Sequence, residues 1–173
     1  MKEKVCCVKN QRVRYGIYVS TKIGKLYVAE ENGCLVRLDS GEADKEDILQ
    51  ETSFLLDTTK QLKEYLAGQR QQFEIPVHME GSDFRKKVWR ALMCIPYGET
   101  RTYGEIAKEI GSPGGARAVG GACNHNPVMI IVPCHRVIGS NGKLVGFGGG
   151  LPMKEALLRL EGIPVKTEDR NRR

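Results

Sequence analysis

Residues 130–137 read Ile130-Ile131-Val132-Pro133-Cys134-His135-Arg136-Val137. An apolar run ends at a proline, and a cysteine and a histidine stand side by side just beyond it. Proline has no amide N–H to give to a sheet ladder or a helix, so the buried element must stop there. Cys134 is therefore expected at the exit of a buried element, where a rigid wall can hold it beside a cavity. Only the thiolate form of cysteine is strongly nucleophilic, and an adjacent base or positive charge makes it available near neutral pH. A plain buried cysteine behind a core strand is the alternative that these eight residues leave open on their own.

Downstream, Ser140-Asn141-Gly142 predicts a turn and Gly146-Phe147-Gly148-Gly149-Gly150 a glycine-rich loop. No Lys-Ser/Thr pair follows that loop, so a nucleotide-binding P-loop is unsupported, and close approach to a flat ligand fits better. The last helix is expected from Pro152 at its first position, through Leu157, Leu158 and Leu160, to Glu161, with Gly162 as its stop.

Upstream, Ser82 or Asp83 can cap a helix reaching about Met93, with Phe84, Val88, Trp89 and Leu92 on its inner side. Trp89 is read as a core residue. Pro96-Tyr97-Gly98 marks a turn. Thr102-Tyr103-Gly104-Glu105 matches a capping box, in which Thr102 and Glu105 satisfy each other's backbone donors. The helix it opens ends at Gly111, and Ser112-Pro113-Gly114 breaks the chain before a second helix from Gly115 to about Cys123. Two short helices around a glycine-containing turn predict a helix-turn-helix. The second helix is nearly bare, with Gly115, Ala116, Ala118, Gly120, Gly121 and Ala122. A glycine inside a helix costs about 1 kcal/mol against alanine, so the bareness needs a reason. Either another helix packs tightly there, or a DNA backbone does, with Arg117 as the one long side chain able to reach in.

The amino-terminal half reads as a small support. Val13 to Val28 alternates unevenly around a hairpin connection at Thr21-Lys22-Ile23-Gly24, and a third strand, Cys34 to Leu38, follows an Asn32-Gly33 turn. Asp39 to Asp47 predicts a loop. Thr58 to Leu66 predicts a helix ending near Gly68, and Phe73 to Val77 a returning strand. Glu80-Gly81-Ser82 is the expected boundary, giving a support over residues 1–80, a second unit over 81–165 and a basic tail over 166–173.

Composition narrows the partners. The chain has 173 residues, 40% hydrophobic and 28% charged, enough for one large domain or two small ones. A net charge of +6 and a pI near 9.0 favour an anionic partner such as nucleic acid, although Arg170, Arg172 and Arg173 contribute part of it from the tail. No run approaches the ~18 apolar residues of a membrane span, and the charged start lacks a signal-peptide core, so no membrane is expected. The cysteines Cys6, Cys7, Cys34, Cys94, Cys123 and Cys134 lack C-x-x-C spacing, which predicts free thiols in a reducing cytoplasm. Cys6, Cys7, Cys34 and His78 lack the spacing of zinc ligands, and no metal is expected.

With these residues in view, the chain resembles the O6-alkylguanine-DNA alkyltransferases. Pro133-Cys134-His135-Arg136-Val137 is similar to the family's active-site signature. The resemblance runs from about Phe84 to Gly162 through Trp89, Tyr103, Ala116-Arg117-Ala118-Val119-Gly120-Gly121-Ala122, Asn126-Pro127 and Leu157-Leu158-Arg159-Leu160-Glu161-Gly162. It implies an α+β fold: a small strand-rich α/β, ribonuclease H-like amino-terminal domain, then a mainly helical domain with a helix-turn-helix. It implies direct, stoichiometric and irreversible repair, without a cofactor, by a cytoplasmic monomer acting on double-stranded DNA that contains O6-alkylguanine, and on O4-alkylthymine. Cys134 would accept the alkyl group, His135 would act as its base through a water, and Glu161 would orient His135. Asn126 would hold the turn that positions the site. Tyr103 would give a proton to the departing guanine and belong to the DNA surface with Ala116, Gly120, Gly121 and Ser140. Arg117 would fill the gap left by the flipped base. Val137, Gly148, Gly149 and Cys123 would line the base pocket. Glycines at 114 and 148, where relatives often carry other residues, would alter pocket size, and the amino-terminal zinc positions of some members have no match here.

Two other readings are available from the residues. A noncatalytic reader of alkylated DNA would lack the cysteine, so Cys134 speaks against it. A cysteine hydrolase would need an oxyanion hole and a water route, whereas the bare helix and basic balance point to DNA.

Overall fold

A computed structural model describes residues 12–165. Cys6, Cys7 and the expected basic tail from 166 onward lie outside the described residues.

The amino-terminal part is a four-stranded sheet in the order β3-β2-β1-β4. Strands β1 (Arg14–Thr21) and β2 (Gly24–Glu31) pair antiparallel from Thr21↔Gly24 to Arg14↔Glu31, so Lys22-Ile23 is a two-residue connection, as the sequence predicts. The link to β3 (Cys34–Asp39) is Asn32-Gly33 with φ of 53° and 72°. Two successive positive φ values define the turn whose twist matches a hairpin, and Asn-Gly adopts it with least strain. Strand β4 (Ile48–Leu49) adds two residues parallel to β1.

Helix α1 (Ser53–Leu66) packs across β1 and β2. It starts five residues before the expected Thr58, because the Thr52 side chain accepts from Leu55 N–H and caps it. Leu55, Thr58, Leu62, Tyr65 and Leu66 form its buried face. The strand expected at Phe73 to Val77 is reduced to a single bridge, Leu35↔Val77. Pro76 lies inside that stretch, and without an N–H it cannot extend a ladder.

The carboxy-terminal part is helical: α2 (Asp83–Met93), α3 (Tyr103–Glu109), α4 (Ala116–Asn124) and α5 (Leu151–Leu160). Ser82 caps α2, and the Thr102–Glu105 capping box is complete. Helix α5 starts at Leu151, so Pro152 stands second rather than first. Trp89 is 1% exposed, and its indole N–H donates to Ala122 O at 2.9 Å, tying α2 to α4. One apolar core runs through both parts, from Val28, Leu38 and Leu62 to Trp89, Val128 and Leu157. Among the described residues no helix is long and apolar enough to cross a membrane.

Candidate active site

The sheet's outer strand carries the cysteine segment. Leu38 N–H donates to Pro127 O at 2.8 Å, and Leu38 O accepts from Met129 N–H at 2.9 Å. The apolar run that follows is buried, as expected, but it is not a strand. Ile131 N–H donates back to Met129 O, with Ile130 at φ 73°, and Cys134 N–H donates to Val132 O across Pro133 at φ −82°, ψ 61°. The run is wound into two three-residue turns. Positive φ on a β-branched residue costs on the order of 1–3 kcal/mol, and it is held here by the complete burial of the segment. Asn126 staples the turns. Its Oδ1 accepts from Val128 N–H at 3.0 Å, and its Nδ2 donates to Val132 O at 2.8 Å and to Cys134 Sγ at 3.1 Å.

Cys134–Arg136 forms one 3-10 turn, and β6 (Val137–Ile138) pairs parallel with β5 (Arg101–Thr102). The exit from the cysteine segment is thus clamped to the start of α3.

His135 is fully buried, with Nε2 at 2.9 Å from Glu161 Oε1. Burial lowers its pKa, outweighing the opposing pull of Glu161, so the imidazole is neutral near pH 7. Burial alone would raise Glu161, but hydrogen bonds from His135, Arg136 and Tyr65 win and hold it at about 2. An ionised carboxylate can only accept, so Nε2 carries the imidazole hydrogen and Nδ1 the lone pair. Nδ1 is buried and has no hydrogen-bond partner among the described residues. Arg136 grips both carboxylate oxygens, with Nε to Oε2 and Nη2 to Oε1 each at 2.9 Å, and its Nη1 donates to Ile95 O at 2.6 Å. Gly98 N–H completes the set at 3.2 Å from Oε2.

Burial pushes the Cys134 thiol up, opposed by the Asn126 amide and the Lys154 ammonium. Lys154 on α5 is fully buried, and its Nζ donates to Val137 O at 2.6 Å and Val145 O at 2.9 Å. Tyr103 opens α3 half-buried, and its hydroxyl donates to Val145 O at 3.0 Å. Burial raises its pKa, with the cysteines 123 and 134 adding to the effect, so it keeps its proton. Burial likewise takes Cys123 up to about 12.

Cys134 lines a cavity of about 310 Å³ with Cys123, Asn126, Met129, Phe147 and Gly148. Its far wall is Arg37, Asp39, Ser40 and Gly41, from the end of β3. Two of the four residues expected around a base are therefore at this cavity. Val137 is fully buried outside its lining, and Gly149 packs against Met153.

The residues expected to meet DNA are carried by α3, α4 and the turn after β6. Arg117 is exposed on α4 and makes no ion pair among the described residues, and Ser140 is exposed in the turn after β6. Ala116, Gly120 and Gly121 are half-buried on the same helix. A Cβ on Gly121 would meet nothing within 4 Å, and one on Gly120 only the Tyr103 ring at 3.8 Å. Packing inside this chain therefore does not require glycine at either position.

Residue reasoning missed Lys154, Tyr65 and the part of Arg136 that closes on Glu161. Arg136 sits in the quoted motif as a positive charge, a signal that was available. Lys154 and Tyr65 sit on amphipathic helices where nothing local separates them from ordinary face residues.

Two family models match the chain. Residues 13–79 match the ribonuclease-like domain of 6-O-methylguanine DNA methyltransferase, and residues 83–163 match its DNA-binding domain. The chain is 61% identical over 102 residues to the methylated-DNA--protein-cysteine methyltransferase of Mycolicibacterium paratuberculosis, a match spanning 59% of this chain and 62%, under two thirds, of that relative. It is 45% identical over 153 residues to the protein of the same name from Mycobacterium leprae, spanning 86% and 93% of the two chains. The crystal structure of Mycobacterium tuberculosis OGT in complex with DNA superposes with a TM-score of 0.81 at 46% identity, covering 85% of this chain and 92% of that one. With both parts matched in order, the chain belongs to the 6-O-methylguanine DNA methyltransferase family, whose relatives here are the methylated-DNA--protein-cysteine methyltransferases.

Proposed function

We propose that this protein repairs DNA by moving the alkyl group of O6-alkylguanine onto Cys134, once per molecule. The observation that carries this is the cavity at Cys134, about 310 Å³, within the ~300–1,000 Å³ of small-molecule sites, with a buried imidazole–carboxylate pair at the adjoining residue. A stacked guanine cannot present its O6 carbon to a buried sulfur, so the base must rotate out of the duplex. Exposed Arg117 enters the gap it leaves. The open surface at Gly121 supports close approach of a duplex to α4, and the charge of +6 supports attraction to phosphates.

In the transfer, Cys134 Sγ attacks the alkyl carbon, an S–C bond forms and the C–O6 bond breaks. The thiol proton passes through a water to His135 Nδ1, the lone-pair nitrogen. Tyr103 exchanges its Val145 acceptor for the guanine ring and gives its proton, so guanine departs neutral. The imidazolium then returns a proton to the Tyr103 oxygen through solvent, which balances the charges. Asn126 holds Sγ in line. The product is a thioether, which has no leaving group, so the protein is spent. Cys123 and Gly148 border the base; Val137 and Gly149 support it from outside the cavity lining. Residues 81–165 act as the DNA-binding and acceptor unit, on a monomer, in a reducing compartment that keeps the thiol available.

Incubation with duplex DNA carrying O6-methylguanine is expected to place one methyl group on the peptide containing Cys134, read by mass spectrometry, and none in Cys134→Ser. A wild-type peptide left unmodified, or many turnovers per protein, overturns the proposal.

A further inference from the structure

The hydroxyl of Tyr65 reaches the carboxylate from the opposite part of the molecule. Tyr65 lies on α1, 70 residues from His135 and 96 from Glu161. Its Oη donates to Glu161 Oε1 at 2.5 Å and stands 3.4 Å from His135 Nε2. His135 Nε2 uses that same Oε1 at 2.9 Å. Three buried residues thus share one oxygen: Tyr65 from the sheet part, and His135 and Arg136, whose Nη2 lies at 2.9 Å, from the cysteine segment. The ring is fixed by Phe73, centroids 5.2 Å apart, and stands edge-on to Tyr97 at 6.1 Å.

We propose that Tyr65 is a positioning residue for the transfer: by sharing Glu161 Oε1 with His135, its hydroxyl weakens the carboxylate–imidazole bond and so tempers the basicity of Nδ1. This rests on the function proposed above and extends it to the amino-terminal part, which then does more than support. The physical reason is competition. Charge on Oε1 that is drawn towards the phenol proton is not available to stabilise a protonated imidazole. Without the hydroxyl, Oε1 serves His135 more fully and the imidazolium becomes easier to form. The other groups facing the pair are Arg136 and Gly98 N–H on the carboxylate, Tyr97 beside Arg136, Lys154 from α5, and Cys134. The Tyr65→Phe substitution keeps every one of these residues and removes one donor from the oxygen that His135 and Arg136 share.

The test is the pH dependence of single-turnover methyl transfer for wild type, Tyr65→Phe and Phe73→Leu. A hydrogen bond of ordinary net strength corresponds to roughly half to one pH unit. The acid limb of Tyr65→Phe is therefore expected to move up by about that much. Phe73→Leu loosens the same packing without touching the hydroxyl, and its limb is expected to coincide with wild type despite a lower Tm. A Tyr65→Phe profile that overlays wild type, or a Phe73→Leu limb displaced as far, overturns the inference. A second readout needs no transfer: the ring ¹⁵N shifts of His135 in the DNA-free protein should show protonation at higher pH in Tyr65→Phe. Loss of methyl transfer in the wild type would remove the proposed function while leaving this titration able to judge Tyr65.

Discussion

Glu161 and Arg117 stand at opposite extremes of the same molecule. The carboxylate is buried, with donors from Tyr65, His135, Arg136 and Gly98 closing on its two oxygens. The guanidinium lies exposed on a helix so bare that a Cβ on Gly121 would touch nothing. The difference separates two tasks. Groups that must hold a proton in one place are over-determined by hydrogen bonds in a low-dielectric interior. Groups that must meet a large, flexible polyanion are left uncommitted on the surface, where a partner supplies their contacts.

The largest expected effect is on the buried side. Glu161→Gln leaves the Arg136 guanidinium without its anion, and breaking a buried pair in this way costs about 3–5 kcal/mol. Chemical denaturation should read a loss of that size at pH 7. Acid should erase the difference. The folded-state pKa of Glu161 is about 2 against an ordinary 4.5, so the folded protein binds fewer protons than the unfolded chain between those values. Its contribution is complete above about pH 4.5 and is lost as pH falls towards 2. The lowered pKa of His135 adds a slope of the same sign below the ordinary histidine range. A wild-type stability that does not fall across this window, or a variant that still shows the full slope, would break the comparison at its buried end.

A smaller effect is expected on the exposed side. Arg117→Ala should lower the repair rate on duplex DNA by ~10–100-fold, the scale of a few kcal/mol for holding a base unstacked. Methyl or benzyl transfer from a free O6-alkylguanine base should stay near wild type, and so should Tm. Equal losses on duplex and free base would mean that Arg117 acts on the chemistry rather than on the duplex.

The smallest effect sharpens the comparison most. Gly121→Ala puts a methyl group into open space, so the folded protein should gain about 0.4–1 kcal/mol from better helix propensity. DNA affinity should fall at the same time, measured by fluorescence anisotropy. A variant that gains stability with unchanged affinity would show that no duplex presses against this part of α4.

Much of this molecule follows from short-range chemistry. The Asn32-Gly33 turn, the Ser82 cap and the Thr102–Glu105 capping box each close a loop of three or four residues between groups whose identities are written side by side. Such contacts form wherever those residue types fall at that spacing. Cys134 and His135 are neighbours in the chain, so the central pair of the site was visible at once.

The rest required chain segments to be brought together from far apart. The apolar run before Cys134 announced burial, yet its wound shape, with Ile130 at φ 73°, exists because Leu38 and Asn126 hold it by hydrogen bonds. The cavity's far wall comes from Arg37 to Gly41, and Lys154 and Tyr65 look from the sequence like ordinary residues on helix faces. Closing a loop of 96 residues between Tyr65 and Glu161 costs conformational entropy that no single hydrogen bond returns. Only the common core, formed by both parts together, holds those atoms within bonding distance. Residue order determined the local elements and the reactive pair, and tertiary packing decided what that pair would face.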